Sequence, residues 1–185
     1  MSQYLHSPLA PGTNTIRLLR LMPQGNGSAE RTELQCELFE YSLQNLDKRT
    51  HPYEALSYTW GGDERACSIT IEEQNLDVTA NLYAALLRLR GRSLERILWI
   101  DAICIDQNNL DERSQQVQLM AMIYSKAYCV LVWLGETADN IEGALEDIQC
   151  AAYEKSTKPL SKIINEKAIL NLLQRQWFQR IWVRE

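Results

Sequence analysis

Residues 98–135, LWIDAICIDQNNLDERSQQVQLMAMIYSKAYCVLVWLG, decide the fold. The run Ile97–Ile105 (ILWIDAICI) reads as a strand that is apolar except at Asp101. Asn109 with Glu112 three residues on has the form of a capping box opening a helix. Val117, Met120, Tyr124 and Ala127 then share one helical face. Cys129–Leu134 (CVLVWL) is continuously apolar, the pattern of a central parallel strand buried on both faces. Strand, helix and strand in this order form a crossover unit, and its right-handedness puts the helix on a defined face of the sheet.

The same alternation extends in both directions. Upstream, Leu82, Ala85, Leu86 and Leu89 follow helical spacing, and Gly91 is a natural stop. Downstream, Ile141, Leu145, Ile148 and Ala152 mark another helix. Nearer the start, Thr15–Leu21 (TIRLLRL) and Leu34–Phe39 (LQCELF) read as strands joined by the loop PQGNGSAER, an N-terminal hairpin. A second hairpin is expected over Ser68–Val78, with its turn near Gln74 and Asn75. After the linker at 156–159 comes a last helical stretch, where Trp177, Phe178, Ile181 and Trp182 share a face. Glu185, three residues after Trp182, points the same way. The expectation is one α/β domain over 1–185, a mainly parallel sheet flanked by helices with an N-terminal β-hairpin elaboration.

Composition limits the function classes. With 19 basic against 24 acidic residues the net charge is −5, which argues against a nucleic-acid partner. No apolar run approaches the roughly 20 residues of a membrane segment. The opening MSQYLHSPLAPG lacks a basic start followed by an apolar run, so no secretory signal is expected and a cytoplasmic location is. The five cysteines are scattered without a C-x-x-C, and with only His6 and His51 no metal cluster can be drawn. Neither a phosphate loop nor a G-x-G-x-x-G motif is present.

In open α/β sheets ligands settle beyond the carboxyl ends of parallel strands. Three such ends are expected, at Ser57-Tyr58-Thr59-Trp60-Gly61, at Asp101–Gln107 and at Trp133-Leu134-Gly135. Tyr58 and Trp60 offer rings for stacking, and Gly61 and Gly62 permit close backbone approach; equally, Trp60 packs the core and the glycines turn the chain. Asp101 needs a partner, because a lone buried carboxylate is costly. Arg113 or Arg180 would supply one, or Asp101 caps a following turn; a structural network is favoured over catalysis. Asp106 and Gln107 fall in a loop, where turn formation and ligand contact are equally served. Glu112 is accounted for as a cap partner. Cys104 has no neighbouring histidine, so a Cys/His nucleophile is weak.

Three blocks carry a family likeness: Tyr53–Gly61 (YEALSYTWG), Leu98–Gly135, and Trp177–Glu185 (WFQRIWVRE). In order and spacing they resemble the hallmark blocks of the fungal heterokaryon-incompatibility (HET) domain. The resemblance implies a role in non-self recognition and programmed cell death. That family is held to be remotely related to Toll/interleukin-1 receptor (TIR) domains, which implies a TIR-like or flavodoxin-like sheet. Some TIR-like domains hydrolyse NAD at the nicotinamide glycosidic bond, with a carboxylate on a late helix shortly after an aromatic residue.

By that resemblance the catalytic residue is Glu185, with Trp182 beside it. Ser57, Tyr58, Trp60, Gly61, Asp101, Asp106 and Gln107 then contact the substrate. NAD enters as substrate, with no metal and no resident cofactor. The departing nicotinamide is already activated, so one carboxylate facing the ribosyl cation suffices without a separate acid. Arg184 stands where the family usually has glutamine. The alternative is a non-catalytic death-signalling module acting by homotypic assembly. A homo-oligomer and an upstream sensor or death-pathway protein are the expected partners.

Overall fold

A computed structural model describes residues 2–10, 12, 14–25, 33–44, 53–62, 64–136, 143–146, 148–149 and 166–179. The chain divides into two compact units, Met1–Trp133 and Leu134–Glu185. The first unit holds seven strands: β1 (Thr15–Leu21), β2 (Gln35–Ser42), β3 (Glu54–Tyr58), β4 (Cys67–Ile71), β5 (Gln74–Val78), β6 (Arg96–Trp99) and β7 (Cys129–Trp133). They form one sheet in the order β5-β4-β2-β1-β6-β3-β7. Three helices accompany them, α1 (Ala80–Leu89), α2 (Asp101–Cys104) and α3 (Leu110–Lys126).

The class is α/β as expected, but the sheet is mixed rather than mainly parallel. Strands β6, β3 and β7 run parallel as adjacent neighbours. The N-terminal hairpin is present, yet it sits inside the sheet instead of decorating it. Its β1 pairs antiparallel with both β2 and β6, then β2 pairs parallel with β4, and β4 antiparallel with β5. The reason lies in the TIRLLRL run. Ile16, Arg17, Leu18 and Leu19 are all buried, so both faces of β1 are covered, which suits a strand with neighbours on both sides.

Four local expectations shift for physical reasons. The β4–β5 turn falls on Glu72 and Glu73, both at positive φ (48° and 68°), the geometry of a two-residue hairpin. This register buries Ile69, Ile71, Leu76 and Val78 together, and it frees the Asn75 backbone to bond Ser2 and Tyr4 of the N-terminal segment. Second, β6 stops at Trp99 and Asp101 opens a helical turn, so Ile103 and Cys104 are buried from a helix instead of a strand. An apolar run by itself does not distinguish the two.

Third, α3 begins at the expected cap, where the Asn109 side chain accepts from the Glu112 N–H. Its buried residues, however, are Glu112, Gln116 and Ile123, while Val117 is 55 % exposed. Met120, Tyr124 and Ala127 pack partly buried against the core. Three of the four expected face residues thus lie against the core, and only Val117 gives way to the two polar side chains. Fourth, β7 is the outermost strand of the described sheet. Cys129, Leu131 and Trp133 are half-buried on one face, and Val130 and Val132 are exposed on the other.

The second unit has its own small core of Ala144, Ala168 and Leu172, with Leu134, Ile169 and Phe178 packed against it. Here Ala144 takes the buried position, and Leu145 and Ile148 are exposed. Ile141, Ala152, Ile181, Trp182 and Glu185 lie outside the described residues. Helix α4 (Glu166–Leu173) and a 3₁₀ turn (Gln176–Gln179) flank Arg175, whose guanidinium donates to the carbonyls of Leu134 and Glu136 at 2.6 and 3.1 Å. Gly135 is at φ 96°, and a Cβ there would meet that guanidinium at 3.1 Å, so the position favours glycine on two counts.

Candidate functional site

The parallel trio β6-β3-β7 brings its carboxyl ends to one edge of the sheet. Ala55 is paired with Trp99, Ser57 with Val132 and Tyr58 with Trp133. Tyr58 is buried and Ser57 half-buried, so β3 delivers Thr59, Trp60, Gly61 and Gly62 beyond the edge. The Trp60 ring is 41 % exposed, so it does not serve as a core residue. Its Nε1–H donates to Asp101 Oδ2 at 3.0 Å, joining the first motif to the second.

Asp101 is the first residue of α2 and does not cap it: its Oδ1 accepts from the N–H of the next residue, Ala102, at 2.8 Å. Arg180, one of its two expected arginine partners, lies outside the described residues. The carbonyl of Asp101 accepts from Gln107 Nε2 at 2.8 Å, folding the loop back on itself. Asp106 serves the turn, its Oδ1 accepting from the Asn108 N–H at 3.0 Å. Trp60, Asp101 and Gln107 are therefore one hydrogen-bonded chain, with Asp106 next to it in the loop.

Two further side chains fix the platform. Asn81, in the first turn of α1, donates to the Thr59 carbonyl at 2.6 Å and accepts from Trp133 Nε1 at 2.9 Å. It ties the ends of β3 and β7 together. Gly61 lies at φ 78° beside it, and a Cβ there would stand 3.7 Å from Asn81 Cβ. A side chain at Gly61 is thus opposed by backbone conformation more than by space.

Beneath the loop lies a buried ion pair. Arg17, 3 % exposed, grips Glu112, 7 % exposed, with guanidinium–carboxylate distances of 2.6 and 3.0 Å. Arg17 also donates to the carbonyls of Cys104 and Ser7. Glu112 Oε1 accepts from the Asp106 N–H at 2.8 Å. Burial by itself would raise the Glu112 carboxyl, but the hydrogen bonds from Arg17 and Asp106 outweigh it and hold the group below its ordinary value. His6 adds a contact to the Ile103 carbonyl at 2.8 Å. Every carbonyl and N–H used here belongs to the segment between Asp101 and Asp106 or to the N-terminal segment.

Sequence reading located Trp60, Asp101 and Gln107 but missed Asn81 and Arg17. It cast Glu112 as the cap partner of Asn109, whereas the Asn109 N–H bonds the Asp106 carbonyl and the Glu112 carboxylate serves Arg17 and Asp106. A signal existed for Arg17: a cation inside an apolar strand demands a carboxylate partner. None existed for Asn81. Cys104 is fully buried, and desolvation pushes its thiol up to about 12, so it stays protonated at neutral pH. Among the described residues no group of three or more His, Cys, Asp and Glu side chains could hold a metal ion. Among those residues no helix is long and apolar enough to cross a membrane. Trp182 and Glu185 lie outside the described residues.

The sheet edge with its linked tryptophan and aspartate coincides with the region that known proteins share. A sequence model of the heterokaryon incompatibility protein (HET) family matches residues 53–185. Heterokaryon incompatibility protein 6, OR allele, of Neurospora crassa is 37 % identical over 143 residues, covering 70 % of this chain and 20 % of that protein. The chain belongs to the HET family. It spans about one fifth of the length of the curated relative it matches. No solved structure matches it.

Proposed function

We propose that this chain is the effector domain of a fungal heterokaryon-incompatibility protein, acting in programmed cell death by hydrolysing NAD at the nicotinamide glycosidic bond. The observation that carries the reading is the half-exposed Trp60 ring, held by Asp101 at the carboxyl ends of three parallel strands in a HET-family chain. An indole anchored by its N–H keeps a face available for a nucleobase or nicotinamide ring. The glycines that follow leave backbone accessible to a ligand. Glu185 is assigned the chemistry by the family resemblance: a carboxylate near the ribose stabilises the cation that develops as neutral nicotinamide leaves.

The test is nicotinamide release from NAD by the purified chain, by a form extended past residue 185, and by Glu185→Gln in each. The substitution keeps shape and removes charge. Release should fall by about two orders of magnitude, the loss expected for one electrostatic stabiliser. Activity should survive chelation by EDTA. Undiminished release from the mutant would remove Glu185 from the mechanism.

The second reading, a non-catalytic module that acts by homotypic assembly, draws support from β7. An outer strand with exposed Val130 and Val132 is a template for pairing with another chain. Absence of release from every form, together with concentration-dependent assembly that Val132→Lys abolishes, would favour it.

A further inference from the structure

Both indoles at the strand ends have their N–H committed to the protein. Trp60 Nε1 donates to Asp101 Oδ2 at 3.0 Å, and Trp133 Nε1 donates to Asn81 Oδ1 at 2.9 Å. Neither ring therefore offers a donor to the edge of a base, and recognition is left to the ring faces. The two acceptors differ in kind. Asn81 is a neutral amide and holds the half-buried Trp133, whereas Asp101 is a carboxylate and holds Trp60, 41 % exposed. The exposed ring is the one tied to a negative charge.

That tie changes the ring. A hydrogen bond to a carboxylate is charge-assisted and polarises its donor, moving electron density from the N–H into the indole. The face of an indole is already its negative region and attracts a cation placed over it. Asp101 strengthens this attraction from the ring edge without touching what lies on the face. Among the described residues neither a second ring nor a guanidinium stacks on Trp60. The sequence from Asp101 to Glu112 brings Asp106 as another carboxylate and contains no lysine or arginine. A quaternary ammonium is held by several rings that enclose it. A single face suits a planar cation that stacks.

We propose that the Trp60 face selects a cationic heteroaromatic ring, and that Asp101 sets this preference by polarising the indole. The inference rests on the NAD reading for the identity of the ligand. Of the two ring systems of NAD the face takes the pyridinium and not the neutral adenine, and it takes the oxidised form over the reduced one. The nicotinamide that leaves on hydrolysis is neutral and forfeits the added attraction, so the platform favours substrate over product. Asp101 acts through Trp60 and is a positioning residue.

An NMR titration of the whole chain tests this by following the Trp60 indole N–H, identified among the five tryptophans by its absence from Trp60→Leu. The probe is 1-methylnicotinamide, a cation; 3-methylbenzamide has the same outline with a neutral carbon in place of the ring nitrogen. The cation should bind about fivefold more tightly than its isostere, the gain expected for a cation over an exposed indole. Asp101→Asn should cut that preference to about twofold or less and change the affinity of the isostere by less than about twofold. A purely structural role for Asp101 would weaken both ligands together and keep their ratio, which overturns the proposal. Equal affinities in the wild type overturn it as well, and that measurement needs no variant to fold. Nicotinamide release from NAD by a chain without the preference would sink this inference and leave the reaction standing. The preference without release would support the inference and remove the reaction.

Discussion

Two carboxylates bracket the same loop and behave in opposite ways. Asp101 stands at its start, at the edge of the sheet, and faces a neutral partner, the indole N–H of an exposed Trp60. Glu112 stands after its end, buried, and faces a guanidinium in two short contacts. The pair formed by Glu112 and Arg17 fastens the loop from below, through Cys104 and Asp106. The pair formed by Asp101 and Trp60 leaves a ring open to solvent. A buried charge with a full set of partners has nothing left for a ligand. At Asp101 it is the aligned aromatic ring, not the carboxylate, that stays open. The difference separates what holds the loop from what the loop presents.

The largest effects should come from breaking the lower pair. Arg17→Met or Glu112→Gln leaves one charge or its donors buried without a match, and should cost about 3–5 kcal/mol of unfolding free energy. Urea denaturation measures this. The double variant Arg17→Met with Glu112→Leu should recover a large part of the loss, because well-packed apolar residues replace a buried pair at little net cost. Single variants that lose less than about 1 kcal/mol would place Glu112 in the same class as a surface carboxylate and dissolve the contrast.

A smaller effect follows from pH. Because Arg17 and the Asp106 N–H hold the folded carboxyl of Glu112 below its ordinary value of 4.5, the unfolded chain takes up this proton first. The stabilisation is complete above about pH 4.5 and is lost as pH falls through the folded value. Thermal midpoints should therefore drop on acidification for the wild type, and the drop should be shallower in Glu112→Gln. Glu54, paired with Arg96 at 2.7 Å and likewise lowered, adds to the acid limb in both proteins, so the comparison between them isolates Glu112. Parallel acid limbs in the two proteins would contradict the assignment.

How much of this was legible in the sequence depends on range. The three parallel strands and the convergence of Trp60 with Asp101 followed from the alternation of apolar runs and helical spacing, because strand ends gather whatever follows them. The cap at Asn109 followed from a spacing of three residues. What failed depended on partners far along the chain. Nothing local says that α3 buries Glu112 and Gln116 in place of Val117, since Arg17 lies 95 residues away from Glu112 and Thr15 101 residues from Gln116. The apolar run through Ile105 hid the end of β6, because Asp101 stops the strand by bonding the next N–H. The position of β1 inside the sheet was missed: the TIRLLRL run read as half of a peripheral hairpin, and neither its pairing with β6 nor the direction of that pairing is written locally. Trp182 and Glu185 fall outside the described residues, and for them the chemistry rests on resemblance.

The smallest effect on stability, and the sharpest on the upper pair, should come from Asp101→Asn. Asparagine keeps one of the two accepting oxygens, since Trp60 Nε1 bonds Oδ2 and the Ala102 N–H bonds Oδ1. With its oxygen toward the indole the platform survives, and the charge and the bond to Ala102 are lost. Because the site is half-exposed, the change in unfolding free energy should be about 1 kcal/mol or less. Asp101→Ala removes both acceptors; it should add roughly the cost of a lost hydrogen bond, about 1 kcal/mol, and release the indole. Quenching of tryptophan fluorescence by NAD, measured on both variants and on Trp60→Leu, reads the platform directly. If Asp101 acts by positioning the ring, quenching should persist in Asp101→Asn, weaken in Asp101→Ala and vanish in the Trp60-dependent component of Trp60→Leu. Loss of binding in Asp101→Asn with the fold intact would show that the charge itself contacts the ligand, moving Asp101 from a positioning role to a binding one.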